Sequence, residues 1–190
     1  VFLDDRKLSL SVNGFRELAQ GALKKEDVKL MNLFFLPADN KQVLRLLNKM
    51  EPDTALETVY PLQQLEDEIA EPKNSLPAYL NRFIADFKGE HLKYETSPEN
   101  VLSWMYYDYM MNCGNKFVRK YAEFSMNIKN LVVAFTCRKY GKEVAPEIIG
   151  NNAVSKALRT SNSKDFGLSM EYPYAEKVMS LMNNPNLVDR

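Results

Sequence analysis

A chain of 190 residues with 25 Lys+Arg against 25 Asp+Glu has no net charge, which argues against a general polyanion binder. Hydrophobic residues reach 45% and charged residues 26%, too apolar for intrinsic disorder, yet no run approaches the roughly 20 apolar residues that span a bilayer. Leu and Met number 32 against 23 for Val, Ile and Thr, with only 7 Gly. Unbranched and γ-branched side chains keep rotamer freedom in helices, so the expected fold class is all-α. The length suits one ordinary domain or two small lobes.

In chain order, residues 1–10 alternate too weakly for a strand. Ser11 caps a helix to about Gln20, with Phe15 and Leu18 expected inward. A second helix covers Lys24 to Leu36, with Val28, Met31, Phe34 and Phe35 apolar, and stops at Pro37. Asp39 caps a third, whose buried stripe is Val43, Leu44, Leu46 and Leu47, ending at Glu51-Pro52. Pro61 opens a fourth helix over 61–70, where Glu66, Asp67, Glu68 and Glu71 form an acidic face. Ser75 caps a fifth to Lys88, with Leu76, Leu80, Phe83, Ile84 and Phe87 at helical spacing.

The polar stretch 89–96 is the expected hinge between an N-terminal lobe, 1–88, and a C-terminal lobe, 97–190; one continuous domain is the alternative. Ser97-Pro98-Glu99 starts the longest helical element, about 97–141. Tyr107, Met110, Gly114, Phe117, Tyr121, Phe124, Ile128, Leu131 and Phe135 recur at 3,4 spacing, a seam expected to be buried, with Phe124 and Ile128 in the core. Cys113-Gly114-Asn115 breaks the element in two, and Gly141 suits the left-handed position past its end. Shorter helices follow at 144–149, 151–160 and 173–183, around a polar 160–165 stretch.

Catalytic chemistry is poorly provided for. His91, in the hinge, is the single histidine, and there is no phosphate-cradling glycine loop. The carboxylate pairs Asp4-Asp5 and Glu66-Asp67-Glu68 offer Mg²⁺ ligands or acid–base groups on one reading, and a chain end and solvated helix face on the other. Cys113 and Cys137 are too few for a disulfide framework and read as inert buried thiols in a reducing cytoplasm. Trp104, Tyr106, Tyr107 and Tyr109 read as core and interface rather than as a base-stacking platform. Neither a catalytic residue nor a cofactor nor a metal site is expected.

Segment 115–142 holds seven cations against Glu123 alone, a net +6 in a neutral chain. At about 100° per residue, Lys116, Lys120, Asn127 and Arg138 share one flank of the helix. Lys116, Lys120 and Arg138 are therefore candidates for docking an acidic partner or an anionic surface. A solvated basic flank is the plain alternative.

This helix also carries a resemblance. Asn127-Ile128-Lys129-Asn130-Leu131, then Arg138-Lys139-Tyr140-Gly141 and Glu147-Ile148-Ile149, are similar to the C/d component of V-type ATP synthases, named C in archaea and bacteria and d in eukaryotes. Leu3-Asp4-Asp5, Lys7-Leu8-Ser9 and Leu33 to Asn40 resemble a bacterial family associated with V-type ATPase operons. The resemblance implies an all-helical, non-catalytic coupling or stalk component between rotor shaft and membrane ring. It would sit peripherally on the cytoplasmic face of the bacterial inner membrane and take neither nucleic acid nor a small-molecule substrate. For such a chain the end at Asp189-Arg190 is abrupt, as if a further C-terminal lobe followed. Asn127 and Asn130 are expected as structural polar residues, Asn130 bonding a neighbouring helix and Arg138 satisfying helix-end carbonyls or a partner carboxylate. An unrelated helical scaffold or regulatory protein, and a helical enzyme using the carboxylates and His91, are the competing readings.

Overall fold

The computed structural model describes residues 10–92, 96–184 and 186; the Asp4-Asp5 pair, residues 7–9 and Asp189-Arg190 lie outside them. Among the described residues the chain is all-α, with nine α-helices, one short 3₁₀ turn and no strand. It divides into two compact units whose boundary lies between His91 and Leu92.

The N-terminal unit holds α1 (Val12–Ala22), α2 (Lys25–Leu33), α3 (Leu36–Leu47), α4 (Leu62–Ala70) and α5 (Ala78–Lys88). Its core forms where α3 meets α4 and α5, with Leu36, Val43, Leu65, Leu80, Phe83 and Ile84 almost fully buried. Two buried carboxylates tie loops to this core. Asp39 does not cap α3, which starts three residues earlier; it lies in the first turn and accepts the N–H groups of Val59 and Tyr60, both at 2.9 Å. Glu68 is not on the acidic face of α4 but buried, accepting the N–H groups of Lys73, Asn74 and Ser75. Ser75, expected as the cap of α5, instead donates its hydroxyl to Glu68 at 2.7 Å, and α5 begins after Pro77.

Helix α1 is turned the opposite way from expectation. Ser11 caps it through the Gly14 N–H, but Phe15 and Leu18 are exposed and Arg16 is buried. The Arg16 guanidinium donates to the Thr58 carbonyl at 2.8 Å and lies over the Phe35 ring, and the Asn13 N–H binds the Glu57 carboxylate. These polar ties to the 57–58 loop set the rotation of a short helix whose apolar face then stays outside.

The C-terminal unit is built around α7 (Lys116–Lys139), packed by α6 (Pro98–Met111), the turn Ala145–Glu147, α8 (Ala153–Thr160) and α9 (Pro173–Asn183). Ser97 caps α6 through the Asn100 N–H, and Asn115 caps α7 through Phe117 and Val118. At the far end, Gly141 has φ +64, with Lys142 N–H bonded to the Cys137 carbonyl and Gly141 N–H to that of Arg138. That pattern closes a helix by satisfying its last carbonyls.

The buried stripe of α7 is Val118, Ala122, Met126, Asn130 and Ala134, joined by Asn127, Leu131 and Cys137. Steps of four residues rotate a stripe by about 40° each, so the covered face winds around the helix as its neighbours change. The predicted seam, spaced 3.5 on average, runs almost straight. Winding core and straight seam cross near Leu131: Phe117, Tyr121 and Phe124 are exposed and Ile128 is half-buried, while Leu131 is buried and Phe135 packs edge-on against Phe166. Phe124 is thus not a core residue; it is 48% exposed and meets Tyr174 on one edge. Phe124→Ala is therefore expected to cost only about 1 kcal/mol, and Met126→Ala, from full burial, about 3 kcal/mol. Urea unfolding followed through Trp104, the single tryptophan, measures both in this unit.

Candidate docking surface

The polar residues inside the C-terminal unit hold its loops. Asn130 pairs twice with the backbone of Ile149, donating to its carbonyl at 2.8 Å and accepting its N–H at 3.1 Å, and reaches Ser155 on α8. Asn127 accepts from Asn152, the cap of α8, and donates to the Tyr174 hydroxyl on α9. Lys129 donates to Ser103 across the α6–α7 contact; burial pushes its pKa below the lysine range, opposed by the Glu99 charge. Gly150, at φ +79, brings its backbone so close to Met126 that a Cβ would lie 2.7 Å from the sulfur.

The three candidate cations do not form one free surface. Lys116 and Lys120 are exposed, Lys120 lying 3.6 Å from Glu123, a contact worth about 0–1 kcal/mol at a wet surface. Asn127, on the same flank, is buried where the core winds through it. Arg138 donates to the carbonyls of Ser161, Ser163 and Lys164, with its guanidinium carbon 3.3 Å from the Phe166 ring centroid. It clamps the loop carrying Phe166, a buried residue at φ +57. Asp165, beside it, has its pKa lowered to about 2, first by the Gly167 N–H and then by the Ser169 hydroxyl.

What α7 does present is a ridge. Phe117 (70% exposed), Tyr121, Phe124, half-buried Ile128 and Val132 follow one another at three- and four-residue steps along its outer side, and Tyr140 (69%) lies eight residues further on, just past the helix. The Phe117 and Tyr121 rings lie 6.2 Å apart, with Lys116 and Lys120 beside them. At its C-terminal end the ridge runs into an open cleft of about 470 Å³ lined by Val132, Val133, Thr136, Tyr140 and Pro146, with exposed Lys142, Glu143 and Glu147. Cys137 borders this cleft; burial, and then the Glu147 charge, raise its thiol pKa and keep it protonated. Phe117, Tyr121, Phe124 and Ile128 were visible in the sequence, but as core, and Val132 and Tyr140 were not singled out; the winding of the buried stripe turns the ridge outward.

A family model described as protein of unknown function, DUF2764, matches residues 1–190. The chain belongs to the DUF2764 family. No curated protein and no solved structure matches it.

Among the described residues of this DUF2764 chain, Glu68 ties a loop to the core, whereas Asp67 and His91 lie at the surface. Both Glu68 oxygens are taken by loop donors, Asp67 is exposed and accepts from Gln63, and His91 is exposed after α5, its backbone N–H on the Asp86 carbonyl. Tyr106 is buried, whereas Trp104, Tyr107 and Tyr109 are half-buried. Cys113 is half-buried, its sulfur 3.6 Å from the Asn115 carbonyl. Among the described residues, no three His, Cys, Asp or Glu side chains are grouped to hold a metal, and no helix is long and apolar enough to cross a membrane.

Proposed function

We propose that this chain is a non-catalytic docking component of a rotary V-type ATP synthase, a C/d-like coupling or stalk part working between rotor shaft and membrane ring. The observation that carries the docking part is the aromatic ridge of α7, with Phe117, Tyr121 and Phe124 exposed beside Lys116 and Lys120 on the longest helix. Large rings held in water along a rigid element favour burial against another protein. The ATPase part draws on the resemblance carried by Asn127 to Leu131, Arg138 to Gly141 and the N-terminal stretches. The all-helical architecture is compatible with it. In this reading the chain would sit peripherally on the cytoplasmic side of the inner membrane.

Copurification from native membranes tests it. Wild-type protein is expected to retain ATPase subunits, and a Lys116→Glu, Lys120→Glu, Tyr121→Glu variant to lose most of them while keeping its helical circular dichroism. Arg138 is left out because reversing it would break the loop clamp and confound folding with binding. Recovery of no ATPase subunit with the wild-type chain overturns the ATPase reading.

A further inference from the structure

The docking reading leaves the chemistry of the occupant open, and the ridge and cleft of α7 together narrow it. An isolated apolar patch could meet many surfaces. Here exposed Phe117, Tyr121, Phe124 and Val132, with half-buried Ile128, form a line at helical steps, so the surface is long and narrow. From Phe117 to Val132 it runs about 22 Å at 1.5 Å per residue. A surface of that shape matches one helix laid lengthwise, which reads a partner through apolar side chains at i, i+3, i+4 and i+7.

Two further features select among helices. The cleft of about 470 Å³ at the C-terminal end has apolar walls in Val132, Val133 and Pro146, suited to one large apolar side chain from the partner. The charges beside the line are unequal at its N-terminal end, where Lys116 and Lys120 stand against Glu123; at the cleft Lys142 stands against Glu143 and Glu147. The Arg119 guanidinium adds to the first end while donating to the Cys113 carbonyl. An apolar line with a basic N-terminal edge is complementary to an apolar stripe edged with carboxylates where it meets that end.

We propose that the outer face of α7 binds an acidic amphipathic helix of another protein, lying along the ridge with one large apolar side chain in the cleft between the end of α7 and the 142–147 segment. This rests on the reading of α7 as a docking surface, and it does not require that the partner be an ATPase subunit.

The test is photo-crosslinking in the native organism, with p-benzoylphenylalanine placed at Tyr121 or at Tyr140 in the full chain. Both positions are surface-exposed, so the fold is expected to tolerate them. The expected result is that both positions label the same segment of one partner, apolar at three- and four-residue steps and flanked by Asp or Glu. The yield should drop about tenfold in the Lys116→Glu, Lys120→Glu background and likewise at 1 M salt, where the Debye length is about 3 Å. Labelling of lipid, of a second copy of this chain, or of a segment without carboxylates overturns the proposal, as does absence of any product at both positions. An acidic helix from a protein outside the ATPase supports this proposal and overturns the ATPase reading. Copurifying ATPase subunits with no acidic helix labelled do the reverse.

Discussion

Glu68→Ala is expected to destabilise the N-terminal unit by about 4 kcal/mol. The carboxylate is 2% exposed and accepts four hydrogen bonds: the N–H groups of Lys73, Asn74 and Ser75 and the Ser75 hydroxyl, between 2.7 and 3.0 Å. Bonds to a charged acceptor contribute about 1.5–3 kcal/mol each and are not additive, and truncation leaves three loop N–H groups seeking partners. Hydrogen exchange at the amides of residues 73–75 reads the loss directly. Unchanged protection in the alanine variant would contradict the clamp. Glu68→Gln keeps an acceptor but turns an NH₂ toward an N–H, and an intermediate loss is expected.

The same site predicts a pH dependence. Burial works to raise the Glu68 pKa, but the Ser75 hydroxyl and the N–H groups of Ser75, Asn74 and Lys73 outweigh it, so the folded value lies below the ordinary 4.5. The folded state therefore binds this proton more weakly than the unfolded state does. Its contribution is fully present above the unfolded value and is lost as pH falls through the folded one. Asp39 acts in the opposite sense: burial dominates, over the N–H groups of Val59 and Tyr60 and the Arg16 charge, and raises its pKa above 3.8. Acid titration of wild type against Glu68→Gln should remove the Glu68 part and leave the opposing Asp39 trend.

In the C-terminal unit, Asn130→Leu is expected to cost about 3 kcal/mol. Leucine fills a similar volume but leaves the Ile149 N–H without its acceptor in a buried setting, and Ser155 loses one of its contacts. The Ile149 carbonyl keeps the Ser155 hydroxyl at 2.9 Å, which holds the cost below that of a double orphan. Trp104 fluorescence during urea unfolding reports this unit. A shift no larger than that of Phe124→Ala would show that the Asn130–Ile149 pairing contributes nothing net.

What the sequence determined by itself is the local part of this protein. The balance of Leu and Met over β-branched residues set the all-α class, and short-range signals placed the helix ends: Ser97 before Pro98, the break at 113–115, Gly141 after α7. Such signals work because a cap or a left-handed residue acts on backbone groups within one turn. Asn130, expected as a structural polar residue, pairs with the Ile149 backbone and reaches Ser155. Tertiary structure alone decided which faces are covered. Periodicity weighs side-chain size, so it gave the seam to Phe117, Tyr121 and Phe124, whereas close helix packing went to the smaller Val118, Ala122 and Ala134 and followed the neighbours around α7. Asp39 and Glu68 turned inward for a related reason. A buried carboxylate needs several N–H donors, and those come from loops whose positions depend on the packing of the whole unit: Val59 and Tyr60 lie 20 and 21 residues beyond Asp39.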